Sequence, residues 1–95
     1  MDAGTYRLLH YDYVPDIVER RDPFRPGHLA AIEEAVADGR MVAAGAVGVP
    51  PSGGMLVFSD VGDEAIRAYA EADPYVVAGL VTAWRIEPWT VVAAR

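Results

Sequence analysis

The chemistry open to this 95-residue sequence is set first by what it lacks. With no cysteine, thiolate nucleophiles, disulfides and thiolate metal sites are excluded, and the candidates are carboxylates, two histidines, hydroxyls and arginines. Asp73 is the most informative carboxylate. It closes an expected helix on that helix's apolar side, where a negative charge opposes the macrodipole by about 0.3–1 kcal/mol. An aspartate before a proline also has a structural use, because it opens turns and accepts from nearby backbone N–H groups. His28 falls in the first turn of another expected helix, four residues before Ile32, at the edge of the core. One such histidine alone is ordinarily a satisfied core residue. If His28 and Asp73 meet, the carboxylate holds one ring nitrogen and fixes the tautomer, and the other nitrogen is left as a general base. The remaining candidates are weaker. His10 lies on an expected strand and forms no metal-ligand spacing with His28, so it reads as structural. Ser52 and Ser59 have no base nearby in sequence. The glycines at 45, 48, 53 and 54 fit neither a phosphate loop nor a dinucleotide fingerprint, so no cofactor and no metal is expected.

The elements that must position these residues follow from pattern and breakers. Residues 5–14 are aromatic and β-branched without helical period, a first strand. A charged stretch at 16–21 allows one helical turn, and Pro23 and Pro26 lead into a helix over 26–38. Leu29, Ile32 and Val36 are expected to form its buried stripe, with Glu33, Glu34 and Asp38 outward and Gly39 as the stop. Met41–Val47 reads as the second strand, 49–54 as a Pro/Gly loop and 55–60 as the third strand. Asp63 is the expected N-cap of a second helix whose Ile66, Tyr69, Ala70 and Asp73 share a face, with Pro74 ending it. A fourth strand over 82–87, interrupted at Pro88, and a short tail complete the chain.

One domain over residues 1–95 is all this length supports. The order β-α-β-β-α-β predicts an α+β, ferredoxin-like fold: a four-stranded antiparallel sheet with two helices on one face. The helices would run in roughly parallel directions, so that contact between His28 and Asp73 depends on the loop after Asp73. The second and third strands are apolar on both parities, so the face away from the helices also needs a cover. Burying several hundred Å² at about 25 cal/mol per Å² supplies several kcal/mol, and the same face of a second copy is the simplest cover. A homodimer, or a higher oligomer, with stacked sheets is therefore expected. The net charge of −6, with basic residues scattered except for Arg20, Arg21 and Arg25, disfavours nucleic acid. The absence of a long apolar run disfavours a membrane, and the sequence reads as cytoplasmic.

Three segments resemble the YciI-like (YCII-related) family of the dimeric α+β barrel superfamily. Arg25-Pro26-Gly27-His28-Leu29-Ala30 is similar to its R-P-x-H-L segment, and Gly39-Arg40-Met41-Val42-Ala43-Ala44-Gly45 to its G-R-L-x-x-x-G strand. The run from Ala70 to Leu80 resembles A-x-x-D-P-Y-x-x-A-G-L, and Pro88-Trp89 falls where members carry P-[FW]. The resemblance implies a dimer with a pocket centred on His28 and Asp73, with Arg25, Tyr75 and Gly45 near the substrate. It further implies metal-independent lyase-like or isomerase-like chemistry, such as dehydrochlorination, on a small organic, often aromatic, compound. Two departures bear on pocket shape: Ala46 stands where many members have proline, and the loop over 48–54 is short. Three functions compete: an enzyme with His28 as base and Asp73 as its support, a non-catalytic binding or regulatory dimer using the same pocket, and a pure assembly unit. A structural tie is made more readily by apolar residues than by a buried charged pair, which favours the first two.

Overall fold

The structure, a computed structural model, describes residues 1–95. Its first strand, β1 (Gly4–Tyr13), is apolar on both parities: Leu9 and Tyr11 join the main core cluster, while Tyr6 and Leu8 belong to a second cluster on the opposite face. A strand with two buried faces belongs in the middle of a sheet. The order is β2-β3-β1-β4, with β2 (Met41–Val47), β3 (Gly53–Phe58) and β4 (Val81–Val91), and every neighbouring pair is antiparallel. The connections carry α1 (Ile17–Arg20) and α2 (Arg25–Ala37) between β1 and β2, and α3 (Asp63–Ala72) and α4 (Pro74–Val77) between β3 and β4. This is the expected ferredoxin-like βαββαβ order, with single-turn helices added before α2 and after α3.

The topology corrects one expectation that matters for the site. β1 and β3 are antiparallel, and each is followed by a helix that returns over the same face, so α2 and α3 run in opposite directions. The first turn of α2, which carries His28, thereby lies at the same end of the sheet as the last residue of α3, Asp73. The core between helices and sheet is built from Leu9, Tyr11, Leu56 and Phe58 of the central strands, Met41 of β2, Ala35 of α2, and Ile66 and Ala70 of α3.

Other local differences have physical causes. Leu29 and Val36 are exposed rather than forming a buried stripe, and the residues α2 buries are His28 and Ala35. Apolar residues occur all around this helix, so their spacing does not fix its rotation, and contacts in its first turn do. Gly53 and Gly54 open β3 instead of ending the loop. A Cβ at Gly53 would collide with the Tyr11 carbonyl oxygen, and one at Gly54 would sit 2.6 Å from the Tyr13 hydroxyl. Pro88 does not interrupt β4, which continues to Val91. This strand is at the sheet edge, where a missing N–H costs no ladder bond. Gly62, not Asp63, caps α3, and Asp63 instead pairs with Arg7 at 2.7 Å.

Candidate functional site

Asp73 is held by the local sequence as much as by the fold. Its extended backbone, φ −63° and ψ 126°, ends α3 and starts α4, and its carboxylate accepts from the Tyr75 N–H at 2.9 Å as the α4 N-cap. The expected conflict with the α3 macrodipole is therefore offset, because the same carboxylate sits at the favourable end of the next helix. The turn-opening role expected for an aspartate before proline is present, and so is a second role. The side chain is fully buried and faces α2 and β1.

Four hydrogen-bond contacts converge on this carboxylate. His28 Nδ1 lies 2.9 Å from Oδ1 and 3.0 Å from Oδ2, and the Tyr11 hydroxyl donates to Oδ2 at 2.9 Å. A carboxylate that already accepts from Tyr11 and Tyr75 also accepts from its third neighbour, so Nδ1 carries the proton and Nε2 is the unprotonated nitrogen. Nε2 makes no hydrogen bond within the chain. The imidazole is also fixed in plane by the Tyr75 ring, stacked at 3.8 Å between centroids and only 5° from parallel. Tyr13 meets Tyr75 edge-on at 5.9 Å. Gly27 lets α2 approach: a Cβ there would be 3.1 Å from Pro74 Cγ.

The tyrosines around the pair are acids out of reach of neutral pH. Burial, followed by the charge and hydrogen bond of Asp73, drives the Tyr11 phenol far up. Burial, then Tyr75 and Asp73, raises Tyr13 to about 12 against the opposing pull of Arg21. Tyr75 is raised by burial, with Arg21 and Arg25 opposing. Tyr11 serves as a donor and Tyr13 and Tyr75 as walls, which leaves His28 Nε2 as the unbonded ring nitrogen of the cluster.

His28 opens onto a cavity of about 200 Å³ between α2 and the sheet. Leu29, Ile32, Leu56, Ala44 and Ala46 make it apolar, Tyr13 and Tyr75 give it aromatic walls, and Arg21 and Arg25 are its charged residues. The structure thus brings His28, Asp73, Arg25, Tyr75 and Gly45 together at one end of the sheet. Gly45 contributes backbone only. It pairs with Met55, which packs on the face away from the helices, and a Cβ at Gly45 would meet open space. His10 is apart from this group, on the opposite face, with Nε2 2.6 Å from Glu87 Oε1. Sequence reasoning missed Tyr11, Tyr13 and Arg21. The two tyrosines share the parity of Leu9 on β1, which could have placed them under the helices; Arg21 precedes Arg25 by four residues, a spacing informative only once the α1–α2 turn is known.

The chain is similar to known proteins over most of its length. The YCII-related domain family matches residues 5–90. Protein YciI of Escherichia coli O6:H1 (strain CFT073) and of Shigella flexneri are each 31% identical over 83 residues, covering 78% of this chain and 85% of theirs. Among solved structures, 5-chloro-2-hydroxyhydroquinone dehydrochlorinase (TftG) from Burkholderia phenoliruptrix AC1100, in complex with 2,5-dihydroxybenzoquinone, superposes with a TM-score of 0.74 at 22% identity. The match covers 90% of this chain and 93% of that one. A protein of unknown function from Nitrosomonas europaea matches with a TM-score of 0.55 at 18% identity, covering 98% and 93%.

Proposed function

The chain belongs to the YCII-related domain family, and on that premise we propose that it is an enzyme in which His28 removes a proton from a small organic substrate, driving elimination or isomerisation. The observation that carries this reading is the pinned imidazole: Nδ1 is committed to Asp73, while Nε2 is unbonded on a ring that lines the cavity. In an elimination, Nε2 takes the proton and the C–H electron pair becomes the new π bond. The leaving group departs from the adjacent carbon with its bonding pair. Asp73 stabilises the imidazolium formed, and Arg25 and Tyr75 bind or polarise the substrate. The aromatic walls suit a planar compound, and the likeness to a dehydrochlorinase supports this class of reaction without fixing the substrate.

The enzyme is proposed to act as a homodimer with stacked sheets. On the face away from the helices, the exposed Val47 and the half-buried Met55 lie beside the buried cluster of Tyr6, Leu8, Val57 and Val91, an apolar margin that a second copy would cover.

The test is turnover of 5-chloro-2-hydroxyhydroquinone and other small rings bearing a leaving group, read as halide release, in wild type and His28→Ala. A loss of about 10²–10⁴-fold in the variant is expected for a general base. Equal rates in the two proteins would overturn the proposal. Saturable binding with no turnover in wild type would instead identify a non-catalytic small-molecule-binding dimer.

A further inference from the structure

We propose that Arg21 and Arg25 form an anion clamp at the cavity, and that the ligand is a single-ring compound carrying a carboxylate. This rests on the reading of the cavity as the substrate site and names what that site selects. Three observations converge on it.

Neither guanidinium group is held by a carboxylate, and Arg25 has only the Tyr75 phenol as a hydrogen-bonding neighbour. Arg7, Arg20 and Arg40 each pair with an aspartate, whereas Arg21 and Arg25 make no ion pair, although Asp16, Glu19 and Asp22 are close in sequence. Their backbones, by contrast, are fixed. The Arg21 N–H donates to the Ile17 carbonyl at 2.9 Å, and the Arg21 carbonyl accepts from Phe24 at 2.9 Å and from Arg25 at 2.8 Å. One tight turn therefore presents both side chains to the same cavity. In a chain of net charge −6, two unpaired cations on one small cavity create a local potential opposite to that of the molecule as a whole.

The clamp has no anion of its own to hold. No carboxylate lines the cavity, and the oxygens of Asp73, behind His28, are taken up by His28, Tyr11 and the Tyr75 N–H. Guanidinium forks match the two oxygens of a planar carboxylate better than the single oxygen of a phenol, and a carboxylate is charged at neutral pH.

The volume sets the rest. A cavity of about 150 Å³ accommodates benzene, so the 200 Å³ here suits one substituted ring. The stacked His28–Tyr75 pair and the edge of Tyr13 give that ring flat walls. With its carboxylate at the arginines, the ring shares the cavity with the His28 imidazole.

The experiment compares benzoate with its neutral isostere benzamide and with hydroquinone by titration calorimetry, using wild type, Arg21→Gln, Arg21→Lys and His28→Gln. The expected result is that benzoate binds about ten-fold or more tighter than either neutral probe. Arg21→Gln removes that preference without weakening benzamide, and Arg21→Lys restores part of it. The thermal unfolding midpoint of Arg21→Gln should match wild type, since the side chain has no partner to lose. Equal affinities for benzoate and benzamide, equal losses for both in Arg21→Gln, or no binding of any probe would overturn the clamp. Failure of the clamp and of the catalytic reading are separable. Charge-selective binding that persists in His28→Gln without turnover leaves the clamp standing and the base in error, while His28-dependent turnover of neutral rings only does the reverse.

Discussion

Asp73 receives four hydrogen-bond contacts from three donors, so its neutral isostere cannot serve them all. An asparagine has one acceptor oxygen and a donor amide, and at least one of Tyr11 O–H, His28 Nδ1–H and the Tyr75 N–H must then face another donor. Asp73→Asn is expected to lower stability by about 3–5 kcal/mol in urea unfolding, the range for breaking a buried pair by removing one partner. In ¹⁵N NMR, His28 should show the Nδ1-protonated tautomer in wild type and a mixture in the variant. An unchanged tautomer with an unchanged midpoint would mean the carboxylate does not organise the ring. Both residues of this pair were legible as types at positions: a histidine in a first turn and an aspartate before a proline. Their contact was not, because it follows from helix direction, and the helix direction follows from strand pairing far apart in sequence. The N-cap role was half legible, since the turn was expected but the short helix after it was not.

At the scale of elements, what pattern could show was the order and the stops; what it could not show was rotation. In α2, apolar residues at 29, 32 and 36 fit a stripe, but 28 and 35 are the ones buried, because apolar residues and alanines flank Glu33 and Glu34 on every side and the phase is weakly set. A proline in a strand was read as an end, whereas at an edge it is tolerated. The composition of Gly53 and Gly54 fits a loop, whereas their place in β3 follows from the close approach of Tyr11 and Tyr13. Gly54 allows the Tyr13 hydroxyl to reach over β3, so Gly54→Ala should displace that ring and cost about 1–3 kcal/mol as an overpacking change. Removing the hydroxyl relieves the conflict, since the Tyr13 Cζ is 3.3 Å from the added carbon rather than 2.6 Å. The double variant Gly54→Ala with Tyr13→Phe is therefore expected to lose less than Gly54→Ala alone. Denaturant unfolding of the four proteins measures this coupling, and strict additivity would contradict it.

For the whole molecule, the concentration of phenols around the site sets the alkaline limit of stability. Tyr13 is raised to about 12 by burial, and Tyr11, Tyr69 and Tyr75 are raised as well, all above the unfolded value of about 10. Each phenol is neutral when protonated, so between these values the unfolded chain binds fewer protons than the folded one, and stability falls as pH rises. The contribution is complete below about pH 10 and is lost through about pH 12 for Tyr13, with no corresponding loss toward neutral pH. Urea midpoints should drop steeply above about pH 10, together with the tyrosinate absorbance, and Tyr13→Phe should flatten that slope.

The second property of the whole is assembly. Helices cover one face of the sheet, and on the other the half-buried Met55 borders the buried cluster of Tyr6, Leu8, Val57 and Val91. If a second copy stacks there, a charge at Met55 is placed in a desolvated interface with no partner, and Met55→Glu should convert the dimer to a monomer of 10.2 kDa in light scattering at micromolar concentration. The cavity opens on the helix side, from α2 and the strand residues that face it, so the monomer should keep its ligand affinity. A wild-type mass of 10.2 kDa would refute the stacked dimer. Loss of ligand binding together with the dimer would show that the site borrows residues from the second copy, which the position of His28, Asp73, Arg21 and Arg25 within one chain argues against.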